Sequence, residues 1–88
     1  MKEVSVTIVN RLGMHARPAA LVVKTADRYR SQIWIRKDDL EVNGKSIMGV
    51  MMLAAEPGSS LHIRAQGPDE AEALEALARL VADKFNED

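Results

Sequence analysis

Four stretches of this chain alternate apolar and polar residues, and each is apolar on one side only. Val4-Ser5-Val6-Thr7-Ile8-Val9 brings Val4, Val6 and Ile8 together on one face. Gln32-Ile33-Trp34-Ile35-Arg36 turns Ile33 and Ile35 inward and leaves Trp34 on the other face. Leu40-Glu41-Val42 is a short third stretch, and in the fourth Leu61, Ile63 and Ala65 alternate with Ser60, His62 and Arg64. Successive side chains of a strand point to opposite faces, so such strands bury one side of a sheet and wet the other. A parallel sheet covered by helices on both faces requires strands that are apolar throughout, so the pattern selects an antiparallel sheet. Only Lys37-Asp38-Asp39 separates the second and third stretches, which reads as a hairpin.

The intervening segments supply a cover for the apolar face. Ala16 to about Tyr29 reads as a first helix with an apolar stripe of Ala19, Val22 or Val23, Ala26 and Tyr29. Small alanines near its start let it lie close to the sheet. Ser46 opens a short apolar helix from Ile47 to Leu53. The last helix starts at Gly67-Pro68-Asp69-Glu70, where proline and acidic residues are start signals. Its expected buried stripe is Leu74, Leu77, Ala78, Val81 and Phe85, its wet face Glu70, Glu72, Glu75, Arg79 and Asp83, and Asn86-Glu87-Asp88 is expected to fray. The order βαββαβα defines an α+β, open-faced β-sandwich: a four-stranded antiparallel sheet with three helices on one face, a single domain over residues 1–88.

Composition narrows the function. Twelve basic and 13 acidic residues give a net charge of −1, and only Tyr29, Trp34 and Phe85 are aromatic. Neither the charge nor the aromatic content is that of a nucleic-acid binder. There is no cysteine, and two histidines without matched carboxylates make no metal site. Asn43-Gly44-Lys45-Ser46 lacks the earlier glycine of a nucleotide-binding loop, so no cofactor is expected. No apolar run reaches the roughly 20 residues needed to span a bilayer. Met1-Lys2-Glu3 lacks the features of a signal peptide, so a cytoplasmic monomer is expected.

Chemistry concentrates in Leu12-Gly13-Met14-His15-Ala16-Arg17-Pro18-Ala19-Ala20. Pro18 is tolerated in a first helical turn, where N–H groups have no intrahelical partner. This puts His15 at or near the N-cap, with the N–H groups of Ala16 and Arg17 outward. A helix N-terminus carries about half a positive charge and binds phosphate well. Arg17 adds a planar fork of donors suited to phosphate oxygens. A nucleophilic imidazole beside a phosphate cradle is suited to becoming phosphorylated; it can also be a plain surface residue before a helix.

Gly13-Met14-His15-Ala16-Arg17-Pro18-Ala19 resembles the active-site signature of the histidine-containing phosphocarrier (HPr) family of the phosphoenolpyruvate-dependent phosphotransferase system. A second family-like segment is Gly44-Lys45-Ser46-Ile47-Met48-Gly49-Val50-Met51. The resemblance covers essentially the whole chain and implies the same open-faced fold. It implies that His15 is phosphorylated on Nδ1 by enzyme I and passes the group to an enzyme IIA protein, a stoichiometric carrier and not an enzyme. Residues 10–15 and the Phe85–Asp88 tail are similar to the nitrogen-related branch. Lys45 to Met51 is closer to kinase-regulated members, so the branch stays open.

Ser46 reads as an N-cap whose hydroxyl accepts from an N–H one turn along. The resemblance adds that this serine is phosphorylated in some branches by HPr kinase/phosphorylase. Phosphate there would be stabilised by the helix dipole, with Lys45 nearby. Ile47, Met48, Met51 and Met52 are too many to turn inward from so short a helix, so some should form a partner surface near His15. The resemblance likewise implies that Ile47 and Met48 contribute to partner contact, and methionine adapts to differently shaped partners. His62, alternating with Leu61 and Ile63, is assigned no chemistry.

Overall fold

The order of elements is the expected one. The computed structural model describes residues 1–87 and contains β1 (Lys2–Thr7), α1 (Ala16–Ala26), β2 (Gln32–Lys37), β3 (Leu40–Asn43), α2 (Ile47–Met52), β4 (Ser60–Gln66) and α3 (Glu70–Ala82). Asp88, expected in a frayed tail, lies outside the described residues. The strands form one antiparallel sheet in the order β1-β4-β2-β3.

Register follows the apolar pattern. Val4 pairs with Ile63, Ile63 with Ile35, and Ile35 with Val42, one inward-facing rung across all four strands. The next rung, Ser5–His62–Arg36–Glu41, faces outward and is polar throughout. A slip of one residue would exchange these faces, so hydrophobic burial fixes the register. Ile33, Ile35, Leu61, Ile63 and Ala65 from the sheet meet Ala19, Val22 and Ala26 from α1 and Leu74, Leu77 and Val81 from α3 in one buried core. The outer face carries its own polar order. His62 bridges Ser5 and Glu3, and the Arg64 guanidinium lies 4.9 Å from the Trp34 ring centroid while pairing with Glu41.

Several details depart from the sequence reading. α1 stops at Ala26, short of Tyr29. Asp69 accepts from the backbone N–H groups of Arg30 and Ser31 at 2.9 and 3.0 Å and from the Ser31 hydroxyl at 2.6 Å. The Arg28 and Tyr29 N–H groups have by then turned to the carbonyls three residues back, at 3.2 and 3.1 Å, and Asp69 holds the chain as it enters β2. Gly67 permits the approach, since a Cβ there would lie 2.6 Å from the Ser31 Cα. In α3 the buried row is Ala73, Leu74, Leu77 and Val81; Ala78 is only half-buried, at the margin of the stripe.

Phe85 is fully buried, as expected, but outside α3. Lys84, Phe85 and Asn86 all have positive φ (59°, 56° and 61°), a turn that non-glycine residues rarely adopt. Each such residue costs roughly 1–2 kcal/mol. Burial of the Phe85 ring, worth about 1.5–3 kcal/mol, offsets much of that cost. Asn86 and Glu87 are therefore held in place and not frayed, and the turn sends Glu87 back across the molecule.

Candidate functional site

α1 begins where the sequence places it. His15 has extended backbone (φ −141°, ψ −169°), and its carbonyl accepts from the Ala19 N–H at 2.9 Å. It is therefore the N-cap, but its side chain makes no capping bond. Ala16 and Arg17 follow as the first two helical residues, so their N–H groups have no carbonyl four residues back to satisfy them. No acidic residue stands in this first turn. Arg17 stands there instead, against the preference of the helix dipole for negative charge.

The loop that delivers His15 is fixed from behind by the turn after α2. The Met14 N–H donates to the Ala55 carbonyl at 2.7 Å, and the Gly13 N–H to the Asn10 carbonyl at 3.3 Å. Gly13 has φ +70°, and a Cβ there would lie 2.5 Å from the Ala55 carbonyl oxygen. Only glycine suits both the torsion and the close approach. Met14 is buried beneath the loop, whereas Leu12 is exposed beside it.

The side-chain contacts of His15 come from a residue assigned to a loose tail. The Glu87 carboxylate lies 3.2 Å from His15 Nε2 and accepts from Asn10 Nδ2 at 2.9 Å. Asn10 is fully buried, and the same amide also donates to the Gly13 carbonyl at 2.8 Å. Hydrogen bonds from Asn10 and then His15 hold the Glu87 carboxyl below the usual glutamate range, and the charge of Arg17 adds to this. An ionised carboxylate can only accept, so in the neutral ring the proton is on Nε2 and the lone pair on Nδ1. Nδ1 has no protein partner among the described residues, and the His15 side chain retains 36% of its exposure. The arrangement holds a ring by one nitrogen and leaves the other as a nucleophile at a positive helix end.

Asn10 and Glu87 are the site residues that sequence reasoning missed. Asn10 carried a weak signal, as a short amide side chain opening a loop with a glycine three residues on. Glu87 carried none, because its approach depends on the left-handed turn around Phe85.

Ser46 caps α2 as expected, its Oγ accepting from the Gly49 N–H at 3.1 Å. Neighbouring Lys45 is directed elsewhere, its Nζ donating to the Tyr29 carbonyl at 2.7 Å. Ile47, Met48, Met51 and Met52 are all exposed, while Val50 and Leu53 anchor the helix in the core. α2 packs along α1, and the turn after it holds the His15 loop, so these apolar side chains and His15 belong to one end of the molecule. No group of three or more histidine, cysteine, aspartate and glutamate side chains that could hold a metal occurs among the described residues. Among those residues no helix is long and apolar enough to cross a membrane.

Comparison with known proteins agrees with this geometry. The family model described as "PTS HPr component phosphorylation site" matches residues 2–83. The phosphocarrier protein HPr of Treponema pallidum is 51% identical over 84 residues, covering 96% of each chain. The HPr-like protein Crh of Halalkalibacterium halodurans is 47% identical over 92% of this chain and 96% of its own. The crystal structure of HPr from Thermoanaerobacter tengcongensis superposes with a TM-score of 0.95 at 51% identity, covering 100% of this chain and 99% of that one. The chain belongs to the HPr family of phosphocarrier proteins of the phosphotransferase system.

Proposed function

We propose that the whole chain acts in the cytoplasm as one carrier unit, taking a phosphoryl group from enzyme I onto His15 and passing it to enzyme IIA. The observation that supports this best is the uncapped start of α1, with the His15 ring held through Nε2 and its Nδ1 free of protein partners among the described residues. The Nδ1 lone pair attacks phosphorus on the donor's phosphohistidine. The bond from phosphorus to the donor nitrogen breaks, and that electron pair returns to the donor imidazole. The transferred oxygens come to rest near the N–H groups of Ala16 and Arg17, and the Arg17 guanidinium balances their charge. Onward transfer to enzyme IIA repeats the step in reverse roles.

Such a cradle must hold the group weakly. Stabilising the phosphorylated carrier as strongly as the transition state would give no acceleration of the next step. An N-terminal helical turn exposed to water, with one exposed arginine, meets that requirement. Ile47, Met48 and Met51 supply the apolar docking surface beside it.

A second reading has support in Ser46 and in the resemblance to Crh. Phosphorylation of Ser46 by HPr kinase/phosphorylase would add nearly two negative charges at the start of α2. The added charge would alter docking while leaving the core untouched. Incubation with phosphoenolpyruvate and purified enzyme I separates the two. Acid-labile phosphate mapped to His15, and lost in His15→Ala, is the expected result. Absence of that label, with acid-stable phosphate on Ser46 alone after kinase treatment, would overturn the carrier reading in favour of regulation.

A further inference from the structure

The chain has five methionines, and three of them fall within five residues on α2. Met48, Met51 and Met52 are 71%, 45% and 64% exposed. Spacings of three and four residues put them on one side of the helix. A methionine gains its stabilising effect through burial, and these three contribute little to the core, which Val50 and Leu53 reach in their place. The other two differ in instructive ways. Met14 lies beneath the His15 loop and is only 9% exposed, while Met1 is 57% exposed but reaches Arg64 on the outer face of the sheet.

We propose that Met48, Met51 and Met52 form an oxidation-sensitive site that lowers docking, and therefore phosphoryl transfer, when a peroxide converts their thioethers to sulfoxides. The proposal rests on the carrier reading above. In each event the sulfur lone pair attacks one peroxide oxygen and the O–O bond breaks. With hydrogen peroxide, the second oxygen leaves as hydroxide and takes the proton from the oxygen now on sulfur, giving sulfoxide and water, so sulfur loses two electrons and the peroxide gains them. The product is polar where the thioether was apolar and flexible. An apolar docking face gains the cost of desolvating up to three sulfoxide oxygens. The fold is spared because the modified side chains are already in water. A thiol-dependent sulfoxide reductase reverses the change, with two thiols oxidised to a disulfide and water released. The same exposure that makes the face adaptable makes it oxidisable.

The test treats the full chain with hydrogen peroxide, maps sulfoxides by mass spectrometry, and measures transfer from enzyme I and phosphoenolpyruvate against carrier concentration. Met48, Met51 and Met52 should oxidise well ahead of Met14, with the circular dichroism spectrum unchanged. The apparent KM for the carrier should rise by at least about fivefold, as for loss of one important apolar contact. The triple variant M48L/M51L/M52L, compared with its own untreated rate, should show a treated-to-untreated ratio near one although Met1 still oxidises. Unchanged transfer by protein bearing sulfoxides on α2 would overturn this proposal alone. So would a loss that tracks Met14 oxidation or unfolding. Absence of any label on untreated protein would overturn the carrier reading and this proposal with it.

Discussion

The first turns of α1 and α3 are built on opposite rules. α3 opens with Glu70 and Glu72 in its first turn, and Asp69 at its N-cap position fastens Arg30 and Ser31. The Glu70 carboxylate accepts from the Gly67 N–H at 3.1 Å, a bond that holds its carboxyl below the usual glutamate range. Negative charge meets the positive pole of the helix, as stability requires. Neither helix has a side-chain bond at its N-cap, but α1 has no acid in its first turn and carries Arg17 there instead. By the rules that govern α3, the start of α1 is unfinished. The two ends differ in the charge at the positive pole, and the negative charge missing from α1 is one that a phosphoryl group on His15 would bring.

A good cap at the start of α1 is expected to have the largest effect. His15→Ser should abolish phosphoryl acceptance and, at the same time, stabilise the fold by about 0.5–1 kcal/mol, read from urea denaturation. Loss of stability would mean that the His15–Glu87 contact holds the fold more strongly than a serine cap does. Arg17→Ala comes next. Removing a misplaced cation should leave stability unchanged or raise it by a few tenths of a kcal/mol. Phosphoryl transfer should fall by about 100-fold, the lower end of the cost of losing one donor to a developing negative charge.

The smallest effect is expected at the start of α3. The bond from the Ser31 hydroxyl, followed by that from the Arg30 N–H, holds the Asp69 carboxyl below the usual aspartate range. A depressed carboxyl stabilises the fold above its unfolded value, and that contribution is lost as pH falls through the folded one. Asp69→Asn should therefore be less stable than the natural chain near neutrality. The gap should close in acid, below the ordinary aspartate range of about pH 4. A gap independent of pH would show that the carboxylate's charge plays no part.

How much was legible in advance follows from which forces are local. Alternation in Val4–Val9 and Leu61–Ala65 fixed faces and pairing, because burial of one side is a property each strand carries alone. The position of His15 and the cap at Ser46 were readable because proline and serine act within one turn. The end of α1 was not, since the chain tightens into short turns at Arg28 and Tyr29 and is then held by Asp69, nearly 40 positions away. Glu87 was hidden for the same reason. Its place beside His15 depends on a turn with three positive φ angles, stabilised by burial of Phe85 in a core that sequence pattern cannot locate in space. Gly13 was readable as a turn residue, but not its approach to Ala55.

The most direct test is nuclear magnetic resonance of 15N-labelled protein after phosphorylation by enzyme I. Phosphorus coupled to Nδ1 of His15, with the amide signals of Ala16 and Arg17 shifted far more than those at the start of α3, is the expected result. Phosphorus on Nε2, or amides at the head of α1 that do not respond, would contradict the claim that this vacant helix end receives the phosphoryl group.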